Sequence, residues 1–282
     1  MNIYIVIPAH NEELLIAKTL DSLVTQTVLP KKIVVVNDNS TDNTENVVHG
    51  FIDKYPYISL VNTTSSEEHM PGSKVINAFY QGYKTLDDAY DVICKFDADL
   101  IFPENYLDTL ITHFEENQKT GMVGGFCYIQ KGNEWILENL TNKDHIRGAL
   151  KAYRKSCFRD IGGLKPAMGW DTVDELVAQY HTWKIKTDES LKVKHLKPTG
   201  NTYNLKAKYK QGEAFYKMRY GFIITLIASI KLALLKKKPR LINDYVAGFF
   251  KAKRESQSFL VSESEGKFIR KLRWKKIKKK LF

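Results

Sequence analysis

A chain of 282 residues with 43% hydrophobic content is long enough to bury a sizeable core, which excludes a disordered or fibrous protein. The formal charge of +11 is uneven: residues 231–282 hold 17 Lys/Arg against 4 Asp/Glu, while residues 1–230 hold 26 against 28. The basicity belongs to the tail and points to an anionic partner, a phospholipid surface or a nucleic acid, and says little about the fold.

Residues 2–7 already read as a strand, with no basic segment followed by an apolar one, so no cleaved leader and a cytoplasmic place are expected. Strand-like runs at 3–7, 32–36, 58–62 and 92–96 alternate with helical periods at 13–24, 43–54 and 74–86. Near-continuous Val/Ile strands separated by helices predict an α/β fold, its mostly parallel sheet covered on both faces. Asp42 and Asn43 are placed to cap the second helix, and Pro103 to begin a fourth in its first turn. Beyond Gly121 come a Gly-rich strand at 122–128, a long segment through 147–158 and a break at Gly162 and Gly163. A helix at 171–183, a strand at 191–195 and helices over 209–235, 241–255 and 267–280 complete the reading. The longest apolar stretch, 220–235, is interrupted by Lys231 and falls short of the roughly 20 residues that cross a bilayer. Cys94, Cys127 and Cys157 are far apart and lack a Cys-x-x-Cys spacing, which fits a reducing compartment.

Three polar clusters follow apolar strands: Ile-Pro-Ala-His-Asn-Glu-Glu (7–13), Asn-Asp-Asn-Ser-Thr-Asp (37–42) and Phe-Asp-Ala-Asp (96–99). In an open α/β sheet, ligands bind outside the carboxyl ends of the strands, so these clusters should converge. Asp97 and Asp99, two apart in an extended segment, face one side and can reach one ion. Hard oxygen donors suit Mg²⁺ or Mn²⁺. Asp38 can accept hydrogen bonds from a base or ribose, or can serve the turn. Asn11 either caps the next helix or lines a pocket. Pro-Gly-Ser-Lys (71–74) precedes a helix bearing Asn77, so helix-start N–H groups and Lys74 can meet a diphosphate; a solvated surface lysine is the plain alternative.

Taken in order, these elements resemble glycosyltransferase family 2, with its nucleotide-diphospho-sugar or GT-A fold. The matching residues are Pro8, Asn11 and Glu12; Asp38, Ser40, Thr41 and Asp42; Gly72, Lys74, Asn77 and Ala78; Asp97 and Asp99; and Trp170-Asp171-Thr-Val-Asp174-Glu175. The likeness covers roughly residues 1–200. It implies that Pro8, Asn11, Glu12 and Asp38 hold the nucleoside, that Lys74 and Asn77 lie at the donor, and that Asp97 and Asp99 hold ribose and a Mn or Mg cation. His195, after the late strand, would complete the metal or pyrophosphate site. Trp170 stands where the family has Glu, which puts it toward the acceptor. Counting back from Thr182-Trp183 places Asp171 as catalytic base, with Asp174 as the alternative on the same helix face. The implied reaction is inverting transfer of a sugar from a nucleoside diphosphate, UDP favoured, to a sugar or lipid-linked acceptor in surface polysaccharide or glycolipid assembly. Residues 1–205 would be the catalytic domain, divided at 120 into nucleotide-sugar and acceptor parts, and 206–282 a basic helical extension.

In the tail, 216–235 and 268–282 mix aromatics and aliphatics with Lys/Arg, as interfacial helices do. The final helix is not a clean amphipath, since Phe268 and Leu272 fall on one side and Trp274, Ile277 and Leu281 on another. Peripheral attachment to the anionic inner face of a membrane competes with packing on the core. A sugar-phosphate nucleotidyltransferase would carry a Gly-rich Arg/Lys loop where Pro8-Ala9-His10-Asn11 stands. A nucleic-acid binder would explain the tail alone, so no nucleic-acid partner is expected.

Overall fold

The computed structural model describes residues 1–64, 72–138, 143–197 and 208–281. Strands β1 (Ile3–Ala9), β2 (Lys32–Asp38), β3 (Ile58–Thr63) and β4 (Val92–Phe96) alternate with helices α1 (Ile16–Val24), α2 (Thr44–Ile52) and α3 (Ser73–Tyr83). There follow β5 (Leu100–Ile101), α4 (Tyr106–Glu116), β6 (Thr120–Lys131), β7 (Glu134–Leu137), β8 (Leu150–Arg154), α5 (Lys155–Asp160), α6 (Trp170–Tyr180) and β9 (Lys184–His195). All the strands form one sheet in the order β3-β2-β1-β4-β8-β6-β9-β5, with β7 beside β6. The first four pair in parallel, as the βα alternation predicts. In the second half β8 runs antiparallel between β4 and β6, β6 and β9 pair in parallel, and β5 closes antiparallel on β9.

Residues Ile3 to Ile7 and Ile33 to Val36 are almost wholly buried, as strands covered on both faces must be. Helix α3 lies directly on them at Gly82, where a Cβ would come within 2.6 Å of Val36 and 2.8 Å of Val6. The parallel register fixes the site. Ala9 lies beside Asn37, Asp38 beside Thr63, and Val6 beside Lys95, so the carboxyl ends of β1, β2 and β4 emerge together.

Several expectations need correction. Pro103 lies ahead of α4, its carbonyl accepting from Tyr106 N at 3.0 Å, and Asn105 holds the cap position. The helix expected over 209–235 is two, α7 (Lys210–Lys217) and α8 (Phe222–Leu235), parted where Arg219 (φ 54) and Gly221 (φ 74) turn left-handed. Strand β9 starts seven residues before 191, because its first half is largely exposed and carries no apolar alternation. The division near 205 falls at 198–207, outside the described residues.

Helices α9 (Leu241–Arg254) and α10 (Glu263–Leu281) complete the tail. It packs on the sheet domain. The Phe268 ring meets Tyr180 of α6 at 5.7 Å, Ile269 is fully buried, Arg273 donates to the Tyr220 hydroxyl at 2.6 Å, and Lys276 pairs with Asp144 at 2.7 Å. Helices α7 and α9 touch backbone to backbone: a Cβ on Gly212 would lie 1.8 Å from the Tyr245 carbonyl, and one on Gly248 2.1 Å from that of Tyr209. Gly212→Ala should therefore cost about 3 kcal/mol of stability through overpacking. Gly50→Ala, in open space on α2, should be neutral or stabilising by up to about 1 kcal/mol. Urea unfolding of the two variants checks the pair.

Candidate active site

The first two strand exits are laced together by hydrogen bonds. Asn11, left-handed at φ 55, donates its backbone N–H to Ser40 Oγ at 2.9 Å and accepts from Thr41 N at 2.8 Å. Glu12 N donates to Thr44 Oγ1 at 2.8 Å, Glu13 N to Asp42 Oδ2 at 3.1 Å, and Asn43 N to Glu13 Oε2 at 2.8 Å. Asp42 also accepts from Thr44 N at 3.0 Å, so it caps α2 while the Asn43 side chain does not. His10 Nδ1 meets the Asp38 carbonyl at 2.6 Å. These bonds hold open a cleft of about 480 Å³ whose lining includes Pro8, His10, Asn11, Asp38, Lys74 and Ala78. Pro8, Asn11, Asp38 and Lys74, which the resemblance assigns to the donor, thus meet in one cavity with Thr41 and Ala78 of the same pattern. Glu12 and Asn77 are not in its lining, and Asn77 is exposed.

On the β4 side, Asp97 is paired with Lys95, a fully buried lysine that also donates to the Gly148 carbonyl at 3.1 Å. Asp99 instead faces His195, Oδ2 to Nε2 at 3.4 Å, because β5 pairs Leu100 with His195. The other ring nitrogen, Nδ1, lies 2.8 Å from Glu138, which Arg147 also pairs. Burial alone would lower His195, but the bonds to Asp99 and Glu138 outweigh it and carry it up to about 9. Burial raises Glu12, and the charges of Asp99 and Asp97 add to this against the ion pair from Lys197 at 2.6 Å.

These groups fit a hard divalent cation. Asp99 offers a carboxylate, and His195 offers Nε2, its other nitrogen oriented by Glu138 in the manner of a metal-bound histidine. Donor atoms of Cys127, Glu138 and His195 also lie within 4.8 Å of one another. Burial pushes the Cys127 thiol up to about 12, however, and a soft sulfur is a poor ligand for Mg²⁺ or Mn²⁺.

Asp171 lies in the first turn of α6, which Gly169 introduces at φ 80. Its side chain is 34% exposed and lies 3.6 Å from His145 Nε2. Burial would raise the Asp171 carboxyl, but His145, Lys151 and Arg147 outweigh it and hold it below its ordinary value. Asp174 is sealed. Both its oxygens lie 2.8 Å from Lys151 Nζ, and Tyr153 donates to it at 2.6 Å. Burial, with Glu175 adding, pushes it up to about 6. Trp170 is 6% exposed, its ring facing the Lys95 and Lys151 ammonium groups at 5.4 and 5.7 Å. The start of α6 also meets the start of α3: Ser73 Oγ donates to the Pro166 carbonyl at 2.8 Å, and Gly72, at φ 78, leaves no room for a Cβ beside Ala167.

Sequence reasoning missed Lys95, Glu138, His145, Arg147 and Lys151. A lysine inside each apolar strand, Val-Ile-Cys-Lys-Phe and Leu-Lys-Ala-Tyr, was the available signal, because a buried ammonium needs a carboxylate partner. The three cysteines are free and buried, and burial raises the Cys94 thiol well above its ordinary value, which leaves no reactive thiolate there.

The sequence model described as glycosyl transferase family 2 matches residues 4–164. The chain belongs to that family. Asp171 and His195 lie beyond the matched residues. Over 200 residues, 62% of this chain, it is 24% identical to the poly-β-1,6-N-acetyl-D-glucosamine synthase of Staphylococcus epidermidis, of whose length it spans 43%. Among solved structures, a mannosyltransferase from Pyrobaculum calidifontis in complex with GDP-Man and Mn²⁺ aligns over the whole chain and 81% of its own, with a TM-score of 0.56 at 14% identity. TarS of S. aureus (residues 1–349) with UDP-GlcNAc aligns over 92% of this chain and 74% of its own, with a TM-score of 0.55 at 17% identity. Both likenesses show a shared GT-A fold.

Asp174→Asn should lower stability by about 3 kcal/mol, since it unbalances a buried ion pair; denaturant unfolding measures this. His145, like His195, is carried up to about 9, because bonds to Asp171 and Glu175 outweigh its burial. A raised histidine stabilises the fold fully below its unfolded value near 6.5, and that contribution disappears as pH rises through about 9. Unfolding free energy should therefore fall between those limits, and His145→Gln should flatten part of the fall.

Proposed function

We propose that this family 2 chain is an inverting, cation-dependent transferase that moves a sugar from a nucleoside diphosphate to an acceptor hydroxyl. The observation that carries the reading is the meeting of Pro8, Asn11, Asp38 and Lys74 in one cleft, with Asp97 and Asp99 at the neighbouring strand exit. Asp38 and Asn11 take the nucleoside, and Lys74, in the first turn of α3, takes the diphosphate. Asp99 and His195 hold the divalent cation, Mn or Mg, and Glu138 orients His195. When bound, that cation supplies positive charge to offset the anion left on the departing diphosphate.

Asp171 accepts the acceptor's hydroxyl proton as that oxygen bonds to the anomeric carbon and the bond to the diphosphate breaks, its electron pair leaving with the nucleotide. The support for Asp171 over Asp174 is physical. Asp171 is partly exposed and held ionised, whereas Asp174 is fully occupied by Lys151 and Tyr153. Trp170, 6% exposed with its ring against the Lys95 and Lys151 ammonium groups, supports the start of α6, and only its small exposed part is open to an acceptor. Residues 1–205 carry the transfer, and 206–282 serve the acceptor side at a membrane's inner face. UDP is the first donor to test, since TarS is described with UDP-GlcNAc; GDP is the second, after the mannosyltransferase.

Thermal shift with UDP, GDP and their sugars, with and without Mn²⁺, tests the reading. One nucleotide series should stabilise the chain, Asp38→Ala should abolish the shift, and no response to either series overturns the assignment. Asp171→Asn should keep the nucleotide shift while turnover drops by about 10²- to 10⁴-fold; wild-type turnover would move the base elsewhere.

A further inference from the structure

Asp171 and Glu175 stand one turn apart on α6 and share a face, and two carboxylates at that spacing repel when nothing lies between them. His145, from the segment ahead of β8, is inserted there. Its Nδ1 lies 2.9 Å from Glu175 Oε2, and its Nε2 lies 3.6 Å from Asp171 Oδ2, an ion-pair distance. Glu175 is itself held at its other oxygen, which accepts from Ile146 N at 2.8 Å and from Lys151 Nζ at 3.3 Å. The imidazole therefore has a fixed side, against a carboxylate that is 8% exposed, and an aimed side, against one that is 34% exposed.

A ring set between two carboxylates carries a proton on each nitrogen. The other charges near it do not supply that preference. Lys151 of β8 opposes it, and Asp144, next in the chain, is paired with Lys276 of α10. On one side Lys143, Arg147 and Glu138 line a small hollow with His145, and Arg147 pairs with Glu138. On the other, Lys184 of β9, Lys231 of α8 and Arg273 of α10 line with it a cleft of about 680 Å³. Asp171 and Glu175 thus hold the second proton on the ring. The effect is reciprocal: burial would raise the Asp171 carboxyl, and His145 is foremost among the groups that hold it down.

We propose that His145 is a positioning residue for the candidate base: clamped by Glu175, its imidazolium keeps Asp171 an open, ionised carboxylate able to take the acceptor's proton. The inference rests on the transferase reading, since it assigns a role through Asp171. Without that charge, a carboxyl set one turn from Glu175 keeps its own proton at mildly acidic pH and cannot accept another.

Turnover against pH tests it, read as nucleoside diphosphate release from the UDP- or GDP-sugar that stabilises the full chain. In His145→Gln, kcat should fall by about tenfold or more at pH 5 and approach the wild-type value at pH 8, with the donor KM unchanged. His145→Lys restores a cation and should recover most of the turnover at pH 5. Coinciding profiles, a loss by the same factor at every pH, or no recovery in His145→Lys overturns the proposal. Histidine ring NMR of the ¹⁵N-labelled chain reads the same pair without a variant at position 145. His145 and His195 should both carry protons on each nitrogen at pH 8, and one of these two rings should lose a proton at lower pH in Asp171→Asn. Failure of either ring to respond to Asp171→Asn also overturns the proposal. A responding ring in a chain that binds no nucleotide keeps the ion pair but overturns the transferase reading and the positioning role with it. Nucleotide binding with an unaltered pH profile in His145→Gln overturns the role of His145 alone.

Discussion

Residues 145–151 tie the two sides of the site together. His145 and the backbone of Ile146 hold Glu175, Arg147 holds Glu138, and the carbonyls of Gly148 and Ala149 take Lys95 and the backbone of Asp97. Lys151 then holds Asp174. These bonds join the segment to α6, to Glu138 just after β7 and to the end of β4, so the candidate metal side and the candidate base side are located relative to one another by a single stretch of backbone. Gly148 is needed there, since a Cβ would press into the Trp170 ring at 2.7 Å and against Asp171 at 3.2 Å.

The buried lysines explain why the arrangement is specific. Lys95 and Lys151 are 2% and 0% exposed, and an ammonium so deep is tolerated only when carboxylates and carbonyls surround it. Their partners include Asp97 and Asp174, two of the acidic residues that the family pattern marks. The acidic pattern is therefore also a structural one. Asp174 belongs to it entirely, while Asp171, three residues earlier and nearer the surface, keeps an ionised carboxylate that solvent reaches. One turn of helix separates a carboxylate that holds the fold from one able to take a proton.

The tail resolves a competition that composition left open. Its aromatic residues, Phe268 and Tyr220 among them, pack inward, and its cations gather along a cleft beside α6. The exposed apolar residues concentrate on α8. Packing on the core uses the inward faces of these helices and leaves Ile223, Ile230, Leu234 and Leu235 on the outer face of α8 exposed.

The βα alternation, the first four parallel strands and the clustering of Pro8, Asn11, Asp38 and Lys74 were legible in the chain itself. The reason is local: period-two and period-3.6 apolar patterns are written in neighbouring residues, and parallel strands deliver their exits to one edge of the sheet. Strands β7 and β8, the early half of β9 and the break between α7 and α8 were not legible, because charged residues interrupt the apolar period there and left-handed turns leave little trace in composition. The partners of Asp97, Asp99, Asp171 and Asp174 were also out of reach. Each is met by a residue dozens of positions away or by a lysine hidden inside a strand, and only the tertiary fold decides which carboxylate is neutralised by a buried cation and which is left open to solvent.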